Sequence, residues 1–183
     1  MAILPVRIYG DPALRAKARP VAEFDDELRK LARDMRDTMH ANNGVGLAAN
    51  QVGVLQRILV VDVPLENDQH AIFTLVNPKI EEKTGSEEGE EGCLSIPGIF
   101  ENVKRALQIH VTALDEHGHT VDVVAGGYLA RAIQHEVDHL DGVLFIDRLS
   151  LLKRQLLKRA LDALARGEMP EDHEPPVTSE GAF

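Results

Sequence analysis

Gln134-His135-Glu136-Val137-Asp138-His139 is the stretch from which the rest of the chain is read. It has the form H-E-x-x-H. On an α-helix, with 3.6 residues per turn, His135 and His139 stand one above the other on a single face. Two imidazoles so placed can share one divalent metal. Glu136 sits about 100° further round, on the flank of that face. From there its carboxylate can take the proton of a metal-activated water without ligating the metal.

Two histidines leave a catalytic site one protein ligand short. The extended pattern H-E-x-x-H-x-x-G-x-x-H is followed as far as Gly142, but Phe145 then stands where the third ligand would be. Glu168, Glu171, His173 and Glu174 lie in a polar tail that reads as flexible. The better candidate is upstream. Cys93, the single cysteine, stands in Glu91-Gly92-Cys93-Leu94-Ser95. A thiolate with two imidazoles leaves a fourth tetrahedral position open, the arrangement of a catalytic centre.

Around this helix the chain of 183 residues reads as one domain, 1–166, with an appended acidic tail, 167–183. The formal charge is -10. Glu168, Glu171, Asp172, Glu174 and Glu180 lie in the tail without a basic residue, so the remainder is only mildly acidic. Net charge therefore gives no footprint for general nucleic-acid binding. One cysteine excludes an internal disulfide, and no stretch approaches the ~18 apolar residues of a membrane span. The N-terminus carries no export signal pattern, which points to the cytoplasm.

The periodicity predicts a helix starting near Phe24 or Asp25, with Asp25 as cap. Leu28, Leu31, Met35 and Met39 form its apolar stripe, with Lys30, Arg33, Asp34 and Asp37 between them. Asn42-Asn43-Gly44 stops it. Strands are expected at Ile58–Val63, Ala71–Val76, Lys79–Thr84, Val103–Leu114 and Thr120–Val124. Glu66 to His70 reads as a loop, Ser86 to Glu91 as a solvated acidic loop, and Asp115 to His119 as a turn. Ser150 starts a last helix. Leu151, Leu152, Leu156, Leu157, Leu161 and Leu164 give it an apolar side, and Lys153, Arg154, Lys158 and Arg159 a basic one.

A further segment, Gly44-Val45-Gly46-Leu47-Ala48-Ala49-Asn50-Gln51, is too rich in Gly and Ala to be chosen for packing mass. It suits close approach of another chain, and Gln51 offers an amide donor for an oxyanion. With Asp138, two readings stay open: it orients a ligand histidine, or it pairs with an arginine such as Arg105.

Three segments, Gly44–Gln51, Glu91–Ser95 and His135–His139, match in order and without a mismatch the motifs G-φ-G-φ-A-A-x-Q, E-G-C-φ-S and H-E-x-D-H (φ apolar). Together they resemble the peptide deformylases. The resemblance implies an α+β fold, with small antiparallel sheets around the H-E-x-x-H helix and a C-terminal helix outside. It implies removal of the formyl group from the N-terminal formylmethionine of nascent polypeptides, with release of formate. It assigns Cys93, His135 and His139 to the metal, Glu136 to proton transfer, and Gln51 with the Leu94 N–H to the oxyanion. The metal implied is Fe(II), with Zn, Ni or Co also accepted. Val45, Gly46, Tyr128, Ala132 and Ile133 are the candidates for substrate binding. Arg131 is expected at the rim or pointing outward, since an apolar pocket does not suit an unpaired guanidinium. The basic C-terminal helix suggests a ribosome contact.

The central motif alone admits two rivals. A zinc endopeptidase would use a third ligand other than Cys93. A non-catalytic metal-stabilised module would have a closed site and no need of Glu136.

Overall fold

The structure is a computed structural model, and it describes residues 2–65 and 69–169. Glu66–Asp68 of the expected loop and Pro170–Phe183 of the expected tail lie outside the described residues.

The first helix, α1, spans Asp26–Ala41, and the Asp25 carboxylate accepts a hydrogen bond from the Leu28 N–H at 2.9 Å. Asp26 and Glu27 in its first turn and His40 in its last complement the helix dipole. Strands β1 (Gly46–Ala48), β2 (Ile58–Pro64), β3 (His70–Thr84), β6 (Gln108–Leu114) and β7 (Thr120–Gly126) form one antiparallel sheet in the order β1-β2-β3-β6-β7. Strands β4 (Glu87–Cys93) and β5 (Ile96–Arg105) pair separately as a two-stranded sheet. Helices α2 (Gly127–Leu140) and α3 (Leu151–Ala165) complete the fold.

Strand β2 shows how the core is partitioned. Its residues alternate between two buried clusters. Leu59, Val61 and Val63 pack with Ala130, Ile133 and Val137 of α2, while Ile58 and Val60 pack with Leu28, Met35 and Met39 of α1. A strand covered on both faces carries apolar residues along its covered length, which is why Ile58 to Val61 read as a continuous run; Asp62, only half-buried, pairs with His40 and His70. A third cluster joins β4–β5 to Phe145, Leu161 and Leu164.

Several sequence expectations are corrected. The two strands foreseen around Asn77-Pro78 are one strand, β3, with an irregularity between Val76 and Lys79. Asn77 takes a left-handed conformation (φ 53°), and its amide accepts from Val21 N–H and donates to Val21 C=O. The Asn-Pro pair therefore bulges the strand without ending it. Ser86 to Glu91 is not a solvated loop: from Glu87 it is β4. The long strand expected over Val103–Leu114 is broken into β5 and β6, which lie in different sheets. The Gln134 side chain accepts from Ala106 N–H (3.0 Å) and donates to Ala106 C=O (2.9 Å), so α2 takes the peptide groups that a continuous ladder would have used. Asp34 is buried on α1, accepting from Ala2 N–H and Lys30 Nζ. On α3 only Leu161 and Leu164 are buried, whereas Leu151, Leu152 and Leu156 are exposed.

Candidate metal centre

Residues 131–140 of α2 are all buried, which a polar run such as Gln134-His135-Glu136 tolerates only with partners. His135 and His139 stand one turn apart with their rings edge-to-face, centroids 5.0 Å from each other. Cys93 ends β4 and brings Sγ to 3.3 Å from His139 Nε2. One ligand atom from each of Cys93, His135 and His139 lies within 4.8 Å of the others, and all three residues are buried. Among the described residues this is the one such group.

The surroundings fix these donors. Glu91 accepts from His135 Nδ1 at 2.9 Å, so Nε2 of that ring faces the group. Phe145, which stands at the third-ligand position of the extended motif, stacks on the His135 ring (centroids 6.1 Å apart). The Gln51 carbonyl oxygen accepts from Ala48 N–H at 2.8 Å, which orients its Nε2 toward Cys93 Sγ (3.6 Å) and Ser95 Oγ (3.4 Å). Leu94, half-buried, occupies the turn between β4 and β5. Of the downstream metal candidates in the tail, Glu168 is exposed and pairs with Arg166, and the other three lie outside the described residues.

Glu136 is fully buried beside this group, and neither of its carboxylate oxygens is hydrogen-bonded to a described residue. The nearby Ala48 N–H is engaged by Gln51. Burial, with the negative charge of Glu91 second, pushes the Glu136 carboxyl well above its ordinary range. Burial and the charge of Glu136 likewise push the Cys93 thiol up. Burial, reinforced by His135, keeps His139 neutral well below its ordinary range. A buried thiol, two imidazoles and an unpartnered carboxyl together form a donor set that a divalent cation fits, since it compensates a thiolate and needs neutral imidazoles. Gly46 lies against Glu136: a Cβ built on it would meet Oε1 at 2.5 Å.

Two charged residues sit differently from the sequence reading. Asp138 does not hold a ligand histidine; it pairs with Arg105 and Arg148. Arg131 is neither at the rim nor turned outward. It is buried and donates to Glu91 and to three main-chain carbonyls. Its guanidinium is paired, which removes the cost that argued against burying it. Glu91, read as part of a solvated run, is the residue the sequence missed. Arg105 holds it by two bonds of 2.8 Å. Burial works to raise its carboxyl, but the Arg105 and His135 contacts outweigh that and keep it far below the carboxylate range. The one signal available was its place two residues before the lone cysteine.

Cys93 and Leu94 also border an apolar cavity of about 540 Å³, lined with Leu4, Val6, Pro97 and Phe100. Val45, Gly46, Tyr128, Ala132 and Ile133 do not line it. Ala132 and Ile133 are wholly buried between α2 and the larger sheet, with Val45 in the same cluster and Tyr128 packed against it.

Comparison with known proteins agrees with this arrangement. The polypeptide deformylase family profile matches residues 3–155. The chain is 49% identical over 166 residues to a peptide deformylase of Alkalilimnicola ehrlichii, covering 91% of this chain and 93% of that protein. It is 45% identical over 159 residues to one of Thermodesulfovibrio yellowstonii (87% and 96%). A peptide deformylase crystal structure from Legionella pneumophila superposes with TM-score 0.83 at 43% identity, over 92% of this chain and all of that one (100%). One from Ehrlichia chaffeensis in complex with actinonin gives 0.85 at 39% identity (93% and 100%). By sequence and by fold alike, the chain belongs to the polypeptide deformylase family, metal-dependent hydrolases that remove the N-terminal formyl group of nascent peptides.

Proposed function

We propose that Cys93, His135 and His139 hold the catalytic metal, that Fe(II) is that metal in the cell, and that Glu136 carries the proton. The observation behind this reading is three buried ligand atoms within 4.8 Å beside a buried carboxyl that no described residue bonds. Thiolate with imidazole suits Fe(II), Zn, Ni and Co alike, and the resemblance to the family favours iron. The bound metal supplies Lewis-acid activation of water and of the formyl carbonyl.

The residues of the chain do the rest. Glu136 accepts the proton of the attacking water as its oxygen bonds to the formyl carbon. It then passes that proton to the departing amine nitrogen. Gln51 Nε2 and the Leu94 N–H donate to the oxyanion that develops on the formyl oxygen, a donor of this kind being worth about 3 kcal/mol. The C–N bond breaks, leaving formate and a free N-terminus. Gly46 and Leu94 offer main-chain groups to the peptide. Val45, Gly46 and Tyr128 are the candidates for the methionine side chain, whereas Ala132 and Ile133 are wholly buried in the core behind them.

Formate release from a formyl-Met tripeptide tests this reading, using protein purified without oxygen and loaded with Fe(II). Turnover with one metal per chain is expected. Cys93→Ser should lose both, and a serine variant that keeps stoichiometric metal would remove Cys93 from the ligand set. An endopeptidase with another third ligand would behave in that second way.

The catalytic unit is taken as residues 1–166, with 167–183 appended. The family match to residue 155 and the end of α3 at Ala165 support that boundary. No helix among the described residues is long and apolar enough to cross a membrane. A cytoplasmic location is assigned because the substrate is nascent polypeptide. A ribosome contact through α3 is assigned to its basic side. Lys153 and Lys158 are engaged with Glu101 and Asp162, which leaves Arg154 and Arg159 as the stronger contributors, next to exposed Leu151, Leu152 and Leu156. Ribosome co-sedimentation should weaken steeply with salt and be lost when Lys153, Arg154, Lys158 and Arg159 are reversed in charge. Unchanged binding by that variant ends the assignment.

A further inference from the structure

The metal-ligand set proposed above is divided between two elements. Cys93 comes from β4, whereas His135 and His139 come from α2. The distance between these elements must be held to a fraction of an ångström for one ion to reach all three donors. Side chains make that connection. Arg131, His135 and Asp138 stand at i, i+4 and i+7 of α2, on one face. Asp138 reaches Arg105 of β5, and His135 reaches Glu91 of β4. Arg131 reaches both strands. Its Nη1 donates to Val103 C=O (2.8 Å), Glu91 Oε1 (2.9 Å) and Gly89 C=O (3.3 Å), and its Nη2 to Glu87 C=O (3.1 Å).

The strand makes room for this guanidinium. A Cβ at Gly89 would lie 2.9 Å from Arg131 Cζ and Nη2. The far end of a flexible side chain would normally yield to such a Cβ, but this one is clamped by four acceptors. Glu91 takes bonds from Arg131 and Arg105 on Oε1, and from Arg105 and His135 on Oε2. Without Arg131 it would still have Arg105, so its charge would stay compensated. What would be lost is the strap that runs from α2 across β4 to β5.

We infer that Arg131, seated in the space left by Gly89, is a positioning residue: it holds the Cys93 strand against the His135–His139 helix and steadies Glu91 on His135. The inference rests on the ligand assignment above. It makes no contact between Arg131 and substrate necessary, so its effect should fall first on the affinity and symmetry of the metal site.

The test is metal affinity, measured by chelator competition with Co(II), together with the thiolate-to-Co(II) charge-transfer band. Arg131→Met should bind about 10- to 100-fold more weakly, as is usual when support of a metal ligand is removed. Its band should move, and kcat at saturating metal should fall with KM nearly unchanged. Met35→Ala, a core truncation on the α1 side, serves as the control for lost stability and should keep parental affinity. Gly89→Ala should lose about twofold or more, and lose nothing further in the Arg131→Met background, because the two act through one network. Arg131→Lys retains a charge for Glu91 but cannot span the three carbonyls, so it should fall between parent and Arg131→Met. If Arg131→Met does not fold, Gly89→Ala and Arg131→Lys decide. Parental affinity and band in the variants that fold, or additive losses in the double variant, would overturn the inference. Cys93→Ser separates this from failure of the ligand reading: if it still binds Co(II) with a thiolate-free parental affinity, the ligand set is wrong, whatever Arg131 does.

Discussion

Glu136→Gln abolishes most of the deformylation while leaving the metal bound: kcat is expected to fall by roughly 10²- to 10⁴-fold. The amide is nearly isosteric with the carboxylate but cannot accept the water proton. The ligand atoms of Cys93, His135 and His139 are untouched by the change, so metal content by elemental analysis should equal the parent's. Formate release with parental kcat would take proton transfer away from Glu136. The same substitution should also raise stability, and only in one pH window. The Glu136 carboxyl is held above its ordinary value by burial first and by Glu91 second. A raised carboxyl means that the folded state disfavours the ionised form. In the metal-free protein the penalty is therefore absent below the unfolded carboxyl pKa of about 4.3, grows as pH rises, and is complete above the folded value. Urea unfolding of metal-free protein should show the glutamine variant ahead of the parent at pH 7.5 and level with it near pH 4. Equal stability at both pH values would mean that Glu136 finds a compensating partner without metal.

Gly46→Ala should cost about 10²-fold in kcat by displacing that carboxylate. The added methyl would lie 2.5 Å from Oε1, 2.9 Å from Cγ and 3.0 Å from Cδ of Glu136. These are closer than any relaxed carbon contact, and the neighbours offer no room: Leu47 and Ala48 are wholly buried, and Gly46 is in register with Val61 of β2. The strand is fixed by its ladder, so the side chain must move. A displacement of about 1 Å of a reacting group is enough for a loss of that size. The backbone of Gly46 does not need a left-handed conformation, so alanine should be accepted in the strand and the protein should still fold and bind metal. In the Glu136→Gln background the alanine should bring little further loss, because the group it displaces is already inert. Parental kcat in Gly46→Ala, or fully additive losses in the double variant, would count against this close approach as the cause.

The parts of the molecule legible in the sequence are those decided within a few residues. The helix of His135 and His139 follows from their spacing, α1 from its stripe and its Asp25 cap, and β2 from the apolar, mostly β-branched run Ile58 to Val61. The members of the candidate metal group could be named as well, since Cys93 is the one cysteine and stands in a motif of its own, and the fold brings its sulfur to the two histidines. Distant partners decided the rest. Asn77-Pro78 reads as a break between two strands until Val21 satisfies the asparagine and makes it a bulge. Val103–Leu114 reads as one strand until Gln134 takes the Ala106 peptide groups. The leucines of α3 read as a face to be buried, yet the body of the protein covers only its C-terminal half. Glu91 and Arg131 show the same limit most sharply. Alone, an acidic residue in an acidic run belongs in water, and an arginine has no place in an apolar interior. Each is buried because the other, with Arg105 and His135, is there to meet it. Periodicity and caps are local and survive in a one-dimensional reading. Compensation of a buried charge is a property of the pair, and its members here lie 40 residues apart.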